Sequence, residues 1–236
     1  AGYGISSYIK RSYATGMVGV SGGGQRNYAG GLIGYIEFGS IASSYASGNV
    51  SAADGSENYA GGLVGGHWGG ISQSYATGSV SAIGNVQAAG GLVGASSSGA
   101  KSNHSFYATT DAGGNAINNG GVAAGEWSSN ALGTPKTWDE LKQASTFAAW
   151  GSDLATNAGS SAIWRIYDGN TLPLLRSWLK PKTVTVSVQD LPTDIEYNGA
   201  AISGSLTASG HDGGSAVQGG LNTSLSYSTT SKNAGT

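Results

Sequence analysis

The sequence predicts an all-β fold: a parallel β-solenoid of repeats about 30 residues long, a C-terminal cap containing one short helix, then a small β-sandwich-like module. Three observations carry this reading. Glycine takes 42 of 236 positions while charged residues make up only 10%, yet the chain holds 12 Tyr and 6 Trp, so it reads as short strands joined by tight turns. Collagen is excluded, because there is no Gly-X-Y period and only 4 Pro. Second, Ser12-Tyr13-Ala14-Thr15-Gly16 returns at 44–48 and 74–78, with a degenerate copy at Phe106-Tyr107-Ala108-Thr109, placing tyrosines 32, 30 and 32 residues apart. Third, Ala29-Gly30-Gly31-Leu32-Ile33-Gly34 returns at 60–65 and 89–94 in the same rhythm.

Each repeat supplies three short extended segments. One runs from Ser-Tyr-Ala to Val18, Val50 or Val80; one is Gly-Gly-Leu-Val/Ile-Gly; one holds Ile9, Ile41 or Ile71, four residues before each tyrosine. Such a unit cannot bury its apolar side chains alone. Stacking solves this, with Leu over Leu and Ile over Ile forming a continuous core. The glycines beside Leu-Val are expected to supply positive φ at the coil corners. A β-propeller is the competing architecture, but its blades need about 40–50 residues.

The Gly-Leu-Val/Ile-Gly units at 31–34, 62–65 and 91–94, with their Ser-Tyr-Ala-Thr-Gly companions, resemble the GLUG repeat of bacterial surface and secreted proteins over residues 8–110. That family includes exoproteins of the filamentous-haemagglutinin type (two-partner secretion) and some immunoglobulin-A-cleaving metallopeptidases. The resemblance implies an extracellular or cell-surface adhesin.

The rhythm stops after Thr109, so a solenoid is expected over 1–110 and a cap over 111–179. Thr137-Trp138-Asp139-Glu140 is a capping box. Trp138, Leu141, Ala144/Ser145 and Ala148 would share one face of an amphipathic helix at about 138–149, packed over the solenoid's end. Ile163-Trp164-Arg165-Ile166-Tyr167 reads as a strand, Asp168-Gly169-Asn170 as its turn, and Leu172-Pro173-Leu174-Leu175 closes the unit. This pattern resembles the segment that commonly ends GLUG arrays. Lys180-Pro181-Lys182 reads as a linker, and Thr183–Val188 alternates with period two, as a half-buried strand does. Ile195-Glu196-Tyr197-Asn198-Gly199, Ile202–Leu206 and Lys232–Gly235 resemble the YDG or MBG modules of the same exoproteins, over 180–236, with Asn198 where YDG has Asp. The chain ends where such modules normally continue, and Ala1 lies inside a repeat. It therefore reads as a piece of a longer protein with an uncapped first coil.

A net charge of −2 and a pI of about 5.9 give no footprint for nucleic acid or an anionic membrane surface. No apolar run could span a bilayer, and the first residues lack the pattern of a secretory leader. With no Cys, disulfides and thiolate metal sites are excluded.

No catalytic constellation emerges. His67, His104 and His211 fall in different segments without His-Glu-x-x-His, so the metallopeptidase activity does not carry over. Neither a P-loop nor a nucleophile elbow is present. Asp54 and Glu57 share a loop without a basic partner nearby in sequence, a poor acid/base pair. Asp168-Gly169-Asn170 offers too few oxygens for calcium. No metal or cofactor is expected. The irregular feature is His67-Trp68-Gly69-Gly70: Trp68 on a solenoid corner could stack on a sugar ring, with His67 beside it and Tyr35 and Phe38 extending the platform one coil below. The bland alternative is that Trp68 covers the core. Thr15, Ser47, Thr77 and Thr109 recur once per coil, the only hint of an ice-binding hydroxyl ladder.

The expected function is thus a non-enzymatic stalk segment of a surface adhesin. Its alternatives are a carbohydrate-binding module and, less favoured, a solenoid polysaccharide-cleaving enzyme or an ice-binding surface. Partners would be host or surface glycans or proteins, met through the larger adhesin, with end-to-end solenoid contacts conceivable.

Overall fold

The computed structural model describes residues 2–97, 99–118, 122–123, 132–156 and 161–179, and beyond them 185–189, 205–209, 211–212 and 215–216. The chain divides into two compact units, Ala1–Leu179 and Lys180–Thr236. The first is a parallel β-solenoid of about four turns, its strands stacked coil over coil in four sheets.

Each full coil carries four strands rather than three. The second runs Ile33–Ala42, Tyr45–Ala46, Val50–Ala53 and Glu57–Gly61; the third runs Val64–Ser72, Tyr75–Ala76, Val80–Ala82 and Val86–Gly90. The repeat elements stack on themselves, Ile71 on Ile41, Tyr75 on Tyr45, Val80 on Val50 and Ala89 on Ala60. The Ala-Gly-Gly-Leu-Val-Gly element is an arch joining two strands. Its leucines lie coil over coil, the Leu32 amide donating to the Leu63 carbonyl and the Leu63 amide to Leu92, each at 2.9 Å.

The arch glycines lie at a bend between strands, as the sequence predicts, but none of them has the expected positive φ. They are required by close approach: a Cβ on Gly62 would overlap the Gly91 carbonyl, and one on Gly65 would sit 2.7 Å from the Ala29 amide. A second corner, between the long strand and the Tyr-Ala strand, is left-handed in every coil: Arg11, Ser43, Gln73 and His104 have φ 50°, 48°, 46° and 48°. Each immediately precedes the serine that opens the Ser-Tyr-Ala segment or its fourth-coil counterpart.

The inner core holds Ile33, Ile36, Ile41, Leu63, Val64, Ile71 and Leu92, with Ala46 and Ala76 facing it. The neighbouring tyrosines belong to the other face, because successive strand residues point to opposite sides. Tyr13, Tyr45 and Tyr75 form a stacked column, with ring centroids 5.3 and 5.1 Å apart. The fourth coil departs from the spacing reading. Phe106, not Tyr107, pairs with Tyr75, and Tyr107 takes the place of Ala76 inside the core. Continuing that register puts Ala108, not Thr109, beside Thr77. The hydroxyl ladder also fails in exposure, as Thr15 is exposed, Ser47 half-buried and Thr77 buried.

The capping box forms: the Thr137 amide donates to Glu140 Oε2 at 2.8 Å, and the Glu140 amide to Thr137 Oγ1 at 3.2 Å. The helix after it is 3-10 rather than α, as Glu140–Lys142 and Ala144–Asp153, with Phe147 and Gly151 off helical geometry. Gln143 is extended at ψ 127°, and the next amide, Ala144, is taken by Asp168 Oδ1 at 2.7 Å, so an α-helical ladder cannot run through. The buried side chains are accordingly Leu141, Phe147 and Trp150, whereas Ala148 is exposed. Trp164–Arg165 pairs with Leu154–Ala155 and Leu174–Leu175, and the Asp168-Gly169-Asn170 turn forms, Gly169 at φ 74°.

This cap packs along the flank of the solenoid rather than over its end. Leu141, Phe147, Trp150, Trp164, Ile166 and Leu175 cluster against Tyr75 and Phe106. The Tyr75 hydroxyl donates to the Pro173 carbonyl at 2.6 Å, and Trp178 lies edge-on to Tyr13 at 5.4 Å. Other groups close the last coil. Thr134–Lys136 extends the tyrosine sheet, Val122–Ala123 adds an antiparallel strand, and Asn118 Oδ1 accepts the Val80 amide at 2.8 Å.

In the second unit, Thr185–Gln189 pairs antiparallel with Ser205–Ser209, and His211–Asp212 with Ser215–Ala216. The expected elements at 195–199, 202–204 and 232–235 lie outside the described residues.

Candidate functional site

The four residues singled out from sequence sit on the long-strand sheet, formed by Ile33–Ala42 and Val64–Ser72. Trp68 pairs in register with Glu37, and His67 with Ile36. Phe38 is an extra residue opposite the Trp68/Gly69 step, in left-handed conformation at φ 51°. That bulge leaves Phe38 64% exposed, with its ring edge-on to Trp68 at 5.7 Å.

Tyr35 continues a column that starts at Tyr3, their rings stacked at 5.3 Å. In the next two coils the same register holds Gly66 and Ala95. The loss of two large side chains opens a pocket of about 190 Å³, lined by Arg26, Tyr28, Tyr35, His67 and Trp68 among others. Gly66 is obligatory there, because a Cβ would lie 2.5 Å from Tyr35 Cδ2 and 2.7 Å from Tyr28 Cδ1. Tyr35 and Trp68 thus share one pocket, Phe38 flanks it through Trp68, and Trp68 is half-buried.

His67 does not belong to the exposed platform. It is fully buried at the register position of Ile36, and neither ring nitrogen meets a partner with hydrogen-bond geometry. Burial pushes its pKa down to about 4, opposed only by the Gly70 backbone, so the ring is neutral at physiological pH.

Arg26 and Tyr28 went unnoticed at the sequence level, although Asn27-Tyr28-Ala29-Gly30-Gly31 recurs 31 residues later as Asn58-Tyr59-Ala60-Gly61-Gly62. Tyr28 and Tyr59 stack at 5.1 Å. Glu57, expected in a loop without a basic partner, opens the strand Glu57–Gly61 and has one from the previous coil. Arg26 Nε donates to Glu57 Oε2 at 2.7 Å, and the Tyr59 hydroxyl donates to the same oxygen at 2.8 Å. These bonds, the Tyr59 one foremost, hold the Glu57 carboxyl below its usual range. Among the described residues, no three of His, Asp and Glu gather as metal ligands would, and no helix is long and apolar enough to cross a membrane. Chemically, the pocket offers aromatic faces and a guanidinium rather than an acid/base pair.

Residues 25–51 and 56–81 each match the family model of the GLUG motif. These two stretches cover the first and second passages through the arch, at 29–34 and 60–65. No curated protein and no solved structure matches the chain.

Proposed function

We propose that this chain is a non-enzymatic structural segment of a secreted or cell-surface bacterial adhesin, of the filamentous-haemagglutinin type, serving as part of a stalk. The observation that carries this is the side-chain continuity of the coils. Serine, asparagine and tyrosine columns each run along the stacking axis, with Asn27 Nδ2 donating to Asn58 Oδ1 at 3.0 Å and Tyr45 stacked on Tyr75. Such columns favour identical residues coil after coil, which suits a rod built by repetition. The GLUG matches support the repeat assignment. The YDG/MBG-like reading of 180–236 belongs to the same proposal and would extend the stalk. Protease shaving of intact source cells, probed with antibody to this chain, tests the reading. Loss of signal without lysis is expected, and full protection from external protease would overturn it.

The pocket favours a second reading, carbohydrate contact through Tyr35, Trp68 and Phe38. Half-buried and exposed aromatic rings beside a guanidinium offer sugar-stacking faces with a polar handle. Titration or glycan-array binding that disappears in Trp68→Ala supports it; no binding by the intact chain sinks it.

A further inference from the structure

The long-strand sheet gathers aromatic rings around one acid. Glu37 stands between Ile5 of the first coil and Trp68 of the third, in register with both. The Tyr3 hydroxyl donates to Glu37 Oε2 at 2.7 Å, and the Tyr3 ring stacks on Tyr35 at 5.3 Å. Phe38, the next residue, lies edge-on to Trp68 at 5.7 Å. Four rings are thereby tied to one carboxylate, by a hydrogen bond, a stack, a peptide link and a register position.

That carboxylate has no cation for a partner. The ion pairs of solenoid and cap join Arg26 to Glu57, Lys136 to Glu140 and Lys142 to Asp139, and among the described residues none reaches Glu37. Lys10 and Lys101, the lysines of this sheet, are in register with Ala42 and Gly70 instead. The negative charge acts locally, since the hydrogen bond to Glu37, foremost, holds the Tyr3 hydroxyl above its ordinary pKa.

The bulge beside Glu37 does not require a ring. Ser6 holds the equivalent place in the first coil at φ 48°, its amide donating to the Glu37 carbonyl at 2.7 Å, and the third coil omits the extra residue between Trp68 and Gly69. Phe38 is strained by its left-handed backbone and, being largely exposed, gains little from packing. The strained ring occurs in the coil that carries the acid.

We propose that this face binds an amino sugar, a pyranose carrying a protonated amine, with the amine paired to Glu37 and the apolar face of the ring against Phe38 and Trp68. Such binding presupposes the carbohydrate contact proposed above and fixes the class of sugar. A carboxylate and aromatic faces both attract a cation, the first by its charge and the second by the ring quadrupole. A neutral sugar would forgo the ion pair, and an anionic one would meet Glu37 as a like charge.

The test titrates the full chain by calorimetry with a glucosamine oligosaccharide and with its fully N-acetylated counterpart, at about pH 6, where the amines carry their protons. The amine form should bind about tenfold tighter or more, a preference that narrows in about 1 M salt. Glu37→Gln, which keeps an acceptor for the Tyr3 hydroxyl, should bring the two affinities together. Asp54→Asn, at an exposed acid elsewhere in the solenoid, should preserve the preference. Phe38→Asn, which suits left-handed backbone, should weaken both forms and keep their ratio. If neither form binds, the carbohydrate contact fails and the amine pairing with it. Equal binding of the two forms keeps the contact and overturns the pairing. A preference that is indifferent to salt, that survives Glu37→Gln in protein folded by thermal melting, or that Asp54→Asn or Phe38→Asn abolishes also overturns it. The salt series on the parent chain decides the matter if Glu37→Gln does not fold.

Discussion

The amide of Ser44 donates to Oγ of Ser74, one coil further on, at 3.1 Å, while that hydroxyl donates its own proton to the Ser72 carbonyl at 2.8 Å. The same pair of bonds joins Ser12 to Ser44 and Ser74 to Ser105. A hydroxyl can do both because it carries one proton and two lone pairs. After each left-handed corner the amide is met by a serine where a strand would offer a carbonyl.

Ser74→Ala therefore leaves a buried amide without its acceptor. Urea denaturation of the full chain should show a loss of about 1–3 kcal/mol. Ser12→Ala, at the exposed end of the column, should cost well under half of that; equal losses at both positions would refute the ladder.

Two glycines at one motif position make a sharper pair. A Cβ on Gly16 meets nothing within 4 Å, whereas one on Gly48 would overlap the Gly16 carbonyl. Gly16→Ala should leave the thermal midpoint within a few degrees of the parent, and Gly48→Ala should lower it severely or prevent folding. Melting curves of the two variants decide this.

His67 makes stability depend on pH with a definite sign. Its folded pKa is depressed from 6.5 to about 4, so above pH 6.5 the ring is neutral in both states and contributes no pH dependence. As pH falls below 6.5 the unfolded chain takes up the proton first, and the fold loses stability progressively, by about 3 kcal/mol in all near pH 4. His67→Leu removes this component and places an aliphatic side chain in the register of Ile36. The stability gap between variant and parent should widen on acidification from pH 7 to 4.5. A gap constant across that range would contradict the buried neutral ring.

Tyr107→Ala should destabilise by roughly 3 kcal/mol, because it empties the last layer of the inner core. The ring is 4% exposed, and Gly91 and Leu92 pack around it. Tyr13→Ala, whose ring is 41% exposed, should cost far less by the same denaturation assay.

Much of the fold is legible in the sequence, because residues that stack on themselves must recur. Ile9, Ile41 and Ile71 share one register, as do the tyrosines of the first three coils. The misread features are those where a side chain or backbone answers to another coil. Periodicity cannot distinguish a glycine needed for φ from one needed for proximity, so Gly30 and Gly62 are found at their expected bend without the positive φ, which Ser43 and Gln73 adopt at another corner. Tyrosine spacing favoured Tyr107 as the fourth ladder member, but its preceding serine, Ser105, sets the register and puts Phe106 there. For the candidate site, Trp68 and Phe38 stood out by composition. Arg26 and Tyr28 come from the strand across the arch, 42 and 40 residues before Trp68, where no local pattern links them.

The cap touches the array at intervals along its length: Trp178 at Arg11 in the first coil, Pro173 at Tyr75 in the third, Trp150 at His104 in the fourth. A bare stack of repeats unfolds by fraying, since each unit answers only to its neighbours. Here the first coil cannot peel away without tearing loose a segment whose other end is anchored in the last. The cap acts as a splint, and the four coils should melt as one cooperative block, a stiff element able to bear load rather than a zip that opens from its end.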